Sequence, residues 1–445
     1  MPTKELTDRA YDFITEDDDR SCENIPESAC KEAPGNFFKN AFNGTSTKLA
    51  EQIASPGLVL PWLLSAIGAP ATLSGFLVPI NRGGSLLPQL AVSGRIRAFD
   101  VRKWFWVGAG VTQGIALLLI ALVTLLMQGL IAGILILILL AIFSIASGVG
   151  SVSFKDVLAK TIPKGKRGTL LSVRATLGGL LGLIAGWVIH TYVGDGEDVS
   201  IYVMIILAAS ALWFIAALLF ALIKEEPGAT DGGRSAVQEA KQGFYLLKQQ
   251  PAFARFIAVR SLLLSIQLAV PFYAILGRDF TGTEISSLGI FVIANSLALV
   301  LSSYFWGRFA DRSSKFSMIF GGLIAISAGI LAYSFHLIPD SWNTGFLYSL
   351  VFFITGIGQA GVRMGRKTYL VDAAPEVDRP LYVAVSNTLV GIITVSSALL
   401  GFLADLISVE FLIGVFVLMM MAGVFLAWSL PKAEHMVVSS GEAEN

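Results

Sequence analysis

Four arginines stand inside stretches of the sequence that are otherwise almost wholly apolar: Arg82, Arg174, Arg260 and Arg363. A charged side chain at the centre of a bilayer costs about 2.5 kcal/mol or more, so each is a functional candidate by default. The chemistry open to a guanidinium there is recognition of an anion through charge-assisted, often bidentate hydrogen bonds. Arg82 precedes Gly94 by about twelve residues, ~18 Å along a helix. Arg82 and Arg260 are deep enough to line a path. Arg174 and Arg363 lie nearer a helix end, where they either snorkel to the interface or hold a gate. Gln267, Tyr273, Gln359 and Asn387 supply further polar positions, and Asn295 holds the place equivalent to Arg82 in the repeat described below. Glu51, Asp156 and Asp372 are the carboxylates placed to couple a proton. Trp62, Phe272 and Tyr273 either stack on a larger ligand or face lipid as interfacial aromatics do.

Other chemistries find no residues to carry them. An enzyme needs a convergent acid–base or nucleophile set, and His190, His336 and His435 are scattered. Cys22 and Cys30 are too few for a disulfide framework and have no metal-ligand company. No nucleotide-binding glycine loop appears. Neither an enzymatic activity nor a metal or cofactor is expected.

The elements that must position the arginines follow from composition. Of 445 residues 54% are apolar and only 14% charged, against roughly 25% charged in soluble proteins. The apolar runs have about the ~20 residues that cross a bilayer as helix. Twelve spans are expected at 50–72, 79–97, 104–127, 130–154, 168–192, 200–223, 253–276, 285–307, 316–336, 345–367, 380–403 and 410–430. The chain reads as an all-α polytopic membrane protein. Its opening is polar and acidic, so the first span is expected to direct insertion in place of a cleaved signal, and DFITEDDD at 12–19 reads as a solvated arm. Lysine and arginine crowd alternate connections (95–103, 155–167, 224–248, 308–315 and 366–379), whereas Arg82 and Arg278 are the basic residues on the other side. That bias sets orientation, with both termini cytoplasmic in a plasma (inner) membrane.

An internal duplication organises the spans. Gly94-Arg95 closes span 2 and Gly307-Arg308 closes span 8, an offset of 213. Lys155, Pro163 and Arg167 recur as Lys367, Pro375 and Arg379, an offset of 212. Each half then has six spans in the same orientation, related by an axis along the membrane normal. The expected divisions are a tail at 1–49, six-helix bundles at 50–223 and 253–430, a linker at 224–252 and a second tail at 431–445. Gly178, Gly179, Gly182 and Gly186 in span 5 permit close helix contact, as a static seam or as a surface on which the halves rock.

The stretch GRFADRSSKF at 307–316 resembles the signature that the major facilitator superfamily carries between spans 8 and 9, with Gly307, Asp311, Arg312 and Lys315 in its places. The copy from Gly94, GRIRAFDVRK, has Ala98 and Phe99 where the acid and arginine would stand. With the span count and the duplication, the resemblance covers roughly residues 50–430. It implies two pseudo-symmetric six-helix halves whose spans 1, 4, 7 and 10 line a central path, with solute held near the midplane. It also implies gating by Gly94, Arg167, Arg174, Gly307, Asp311, Arg312, Lys315 and Arg379. Asp311 would close the cytoplasmic face by docking at the start of span 5, near Gly168-Thr169, where free N–H groups favour an acid.

The expected function is therefore that of a secondary active transporter (a permease, by symport or antiport) that moves a small organic, anionic solute by alternating access. Its partners would be that solute, a coupling ion and the lipid bilayer. Net charge is zero and no long basic face exists, so nucleic acid is excluded, and the expected state is a monomer. The alternatives are efflux of lipophilic compounds, or a non-transporting assembly or sensor protein on the same fold.

Overall fold

The computed structural model describes residues 2–15, 25–163, 166–192, 198–228, 245–281, 285–337, 339, 342–374, 379–433 and 436. Among them the regular structure is helical: α1 (Pro2–Thr15), α2 (Glu27–Ile53), α3 (Val59–Ala66), α4 (Ala71–Leu86), α5 (Pro88–Arg97), α6 (Lys103–Leu126), α7 (Gly129–Thr161), α8 (Arg167–Tyr192) and α9 (Val199–Ala221). A short α10 (residues 245–249) precedes α11 (Pro251–Leu262), α12 (Ser265–Thr281), α13 (Ile285–Arg312), α14 (Ser314–Ser334), α15 (Gly345–Ala373), α16 (Arg379–Ser396), α17 (Phe402–Leu406) and α18 (Val409–Trp428). Nine helical stretches among the described residues are long and apolar enough to cross a membrane. The pairs α2–α3 and α4–α5, together with α13, complete a layout of twelve legs.

The first span begins at Glu27 and not at 50, as expected from hydropathy, and runs through α2 and α3 to Ala66. Hydropathy misses it because its inward face is polar. Asn36, Asn40 and Asn43 recur at helical spacing and are buried. Asn36 donates to the Lys224 carbonyl (2.9 Å) and accepts from the Lys224 N–H (2.9 Å). Asn43 donates to the Ala216 carbonyl at 2.8 Å. Amides paired with backbone in this way avoid the cost of a lone polar group in an apolar setting. The opening segment, expected as a solvated arm, is helical over Pro2–Thr15. Tyr11 packs edge-on against Phe37, within a cluster that includes Leu158, Ile162 and Leu170.

The first spans of the two halves are both interrupted. Span 1 breaks at Ser55-Pro56-Gly57, where the Ser55 carbonyl accepts from the N–H groups of Leu58, Val59 and Leu60. Span 7 breaks between α11 and α12, at Leu263-Leu264. Gly68, with φ +72°, makes the turn from α3 to α4, a conformation glycine adopts without strain.

Contacts between the halves carry the duplication into three dimensions. Trp62 donates from Nε1 to the Ala274 carbonyl (3.0 Å), a residue 212 positions on. Arg278 donates to Ser65, 213 positions away. Equivalent positions of two repeats meet only at the axis that relates them, so these two pairs mark that axis. Around it α4 packs on α16 and α8 on α13, two seams that the axis interchanges.

Candidate functional site: an arginine cavity in the second half

The interrupted span 7 and the long helix α15 leave a small cavity between them, lined by Arg260, Leu264, Gln267, Gln359, Arg363 and Arg366 among others. Arg363 and Arg366 are three residues apart on α15 and so share a face. Arg260 ends α11, just before the break, and is held from behind by span 11. Its Nη1 donates to Ser386 Oγ (2.6 Å) and its Nη2 to Asn387 Oδ1 (2.9 Å), while its Nε is buried without an acceptor. Arg363 and Arg366 have no hydrogen bond or ion pair among the described residues. The partners of Arg260 are neutral, and among the described residues no carboxylate lies near enough to offset any of the three charges. The charges that reach Arg366 are those of Arg260, Arg363 and, from the first half, Arg82.

The first half supplies the facing wall. Arg82 on α4 is exposed and senses Glu51 on α2. The Glu51 carboxylate is paired with Lys48 at 2.6 Å, both side chains about half exposed. A site built this way holds guanidinium donors around a confined space. It suits a compact anion that can accept from several of them at once.

The other expected site residues lie elsewhere. Tyr273 is wholly buried, its carbonyl accepting from the Tyr348 hydroxyl (2.9 Å) and its ring facing Gly329; it belongs to the core of the second half. Asn295 lies in the seam between α13 and α15, beside Gly356. Asn387 is a support for Arg260 and does not line the cavity. Arg174 donates to Asn40 and lies 4.4 Å above the Phe154 ring. Arg167 clamps the end of α7, donating to the carbonyls of Ile162 (3.0 Å) and Ala159 (2.8 Å). Lys315 donates to the Leu430 carbonyl at 2.6 Å, tying span 9 to the end of span 12. Asp156 pairs with Arg102 at 3.1 Å. Arg312 and Asp372 are exposed at helix ends, and Gly307 has open space around it. Gly94, Asp311, Arg379 and Gly168 lie outside the described side chains, and His435 outside the described residues.

The glycines of span 5 divide between two faces. A side chain on Gly178 or Gly182 would strike Lys48 or Gln52 of α2, whereas one on Gly179 or Gly186 would strike Val300 or Ile293 of α13. The first pair seats polar side chains of α2, and the second lies between the halves.

Beyond the α8–α13 and α4–α16 seams, contacts across the halves gather at one face, the one poor in lysine and arginine. There α3 packs on α12, and α4 packs on α12, α17 and the 397–401 stretch. A Cβ on Gly75 would stand 2.6 Å from the Gly401 Cα, and one on Gly289 2.5 Å from the His190 backbone. Among the described residues no pairing of comparable extent joins α2, α5 or α7 to the second half. The cavity therefore lies beneath a closed bare face and toward the basic one.

Residues 256–444 match the sequence model of the Major Facilitator Superfamily. The structure of a mutant of the nucleoside transporter NupG superposes with a TM-score of 0.70 at 14% identity, over 89% of this chain and 100% of that one. This is the major facilitator fold. A D-xylose-proton symporter follows at 0.64 and 15% identity, covering 91% of this chain and 98% of its own. The Escherichia coli transporter XylE, in an inward-open conformation, gives 0.60 at 16%, covering 92% and 98%. Among curated proteins, Uncharacterized protein Rv2209 of Mycobacterium tuberculosis is 24% identical over 265 residues, 59% of this chain and 51% of its own. Uncharacterized protein Mb2232 of Mycobacterium bovis matches equally. The chain spans about half the length of these curated relatives. Within the major facilitator fold, the arginine cavity is formed by spans 7 and 10, two of the four expected to line the path.

Arg366 escaped the sequence reading, in which it served only as a loop charge. Its spacing from Arg363 was the available signal. Lys48 was hidden because α2 was taken as a tail.

Proposed function

We propose that this protein is a secondary transporter that moves a small organic anion across the membrane by alternating access. The observation that carries the reading is the cluster of Arg260, Arg363 and Arg366 around one cavity with no carboxylate among the described residues to neutralise it. Clustered like charges attract a counter-charge, and a bound anion is the missing partner. The positive-inside rule makes the basic face cytoplasmic, with the bare face closed by Trp62, Gly75 and Gly401. The solute then enters or leaves through the cytoplasmic side in this conformation. Arg82 and the Lys48–Glu51 pair meet it from the first half as that side closes. The protein works as a monomer in the plasma membrane.

A thermal-shift screen of the purified protein against anionic, neutral and cationic metabolites tests this, because a ligand that binds the folded state raises its stability by mass action. Stabilisation confined to anions is expected. Stabilisation by neutral or cationic solutes alone would refute it.

A further inference from the structure

The same cavity bears on how the transport cycle closes. In the conformation observed, Arg363 and Arg366 have no partner among the described residues, and Arg260 is bonded only to the neutral Ser386 and Asn387. The charge that reaches Arg363 from the opposite half is Arg82, another cation. The acid on the facing wall, Glu51, is engaged by Lys48, so the pair adds no net charge. With the basic face open, water solvates these guanidinium groups. Closing that face on an empty cavity would strip the water and leave three or four like charges enclosed, which low-dielectric surroundings penalise heavily. Closing it on a bound anion encloses a neutralised cluster instead. Among the described residues no histidine stands nearby to shed the charge by titration, since His190 and His336 lie at the bare-face ends of spans 5 and 9.

We propose, on the footing that the cavity binds an anion, that the protein is an obligate anion exchanger: it changes conformation when loaded and does not return empty. Transport in one direction then requires an anion to travel in the other on the next half-cycle, and no net uptake occurs into a compartment that lacks one. The exchange moves whole anions and involves no covalent step.

The full-length protein in proteoliposomes tests this. Inorganic phosphate, succinate and acetate are the probes, and the one that most stabilises the purified protein is used with a radiolabel. Vesicles preloaded with the same unlabelled anion should take up label at least tenfold faster than vesicles preloaded with sucrose. Equal initial rates would overturn the exchange mechanism and leave anion transport standing. If none of the three probes, nor any other anion in the stability screen, binds, both readings fall together. A gain-of-charge variant gives a second, independent readout. Gln359→Glu places a fixed carboxylate on the cavity wall and should weaken anion binding while bringing the ratio of the two rates toward one. A Gln359→Glu protein that still transports with the full wild-type ratio would also overturn the proposal.

Discussion

Adding one methyl group at Gly75 should open the bare face. Span 2 meets span 11 there backbone to backbone, and a Cβ on Gly75 would stand 2.6 Å from the Gly401 Cα and 3.2 Å from the tip of Phe272. The phenyl ring can turn aside, but the Gly401 backbone cannot yield without moving its helix. Overpacking of this kind costs about 1–3 kcal/mol, and the strain is relieved only where spans 2 and 11 part. The equilibrium between faces should then shift by roughly 5- to 150-fold toward the outward-open state. Spin labels at Gln128→Cys and Leu337→Cys, exposed positions on opposite halves of the bare face, read that opening as a longer distance. Gly414→Ala is the control, because a Cβ there meets nothing within 4 Å. If Gly75→Ala inserts normally and leaves the distances of wild type, the glycine contact does not hold the gate.

Other positions have equally specific expectations. Arg260→Lys keeps the charge but loses the planar fork that reaches both Ser386 and Asn387; with about 1.5–3 kcal/mol per charged hydrogen bond, anion affinity by titration calorimetry should fall roughly ten- to hundredfold with expression intact. Glu225 has a fully buried carboxylate that accepts from the N–H groups of Arg102 and Lys103 at the start of α6 and from Lys160 Nζ. Glu225→Gln should therefore cost about 2–4 kcal/mol by loss of a buried charged partner, seen as a lower melting temperature in detergent, and an unchanged melting temperature would contradict that role. Trp62→Phe keeps the ring in its edge-on contact with Phe291 but removes the hydrogen bond to Ala274, so the label distance across the bare face should lengthen less than in Gly75→Ala.

Spans 3 to 12 and the duplication were legible in the sequence because both leave a pattern. Long apolar runs mark helices such as α7 and α18, and the recurring Lys–Pro–Arg triplet carries the repeat. Span 1 was not legible. Its Asn36, Asn40 and Asn43 find partners on span 5, on span 6 and just past its end, some 130 to 190 positions away, and local hydropathy has no access to such pairing. The cavity was half legible: Arg260, Gln267, Gln359 and Arg363 were singled out by depth alone. Tyr273 was drawn in by the same argument, but rotation about the helix, which depth does not fix, turns it into the core. Depth gave Arg174 either a place at the interface or a gate, and its contacts with Asn40 and the face of Phe154 come from tertiary packing that depth does not report.

The proposed anion recognition by this cavity rests on charge and not on shape. Titration calorimetry of the purified protein with succinate and with its neutral diamide separates charge from shape, since the two ligands have nearly the same size. Saturable binding of the acid is expected, weakened by salt as screening grows, with no detectable binding of the diamide. Equal binding of both, or binding of the diamide alone, would contradict it.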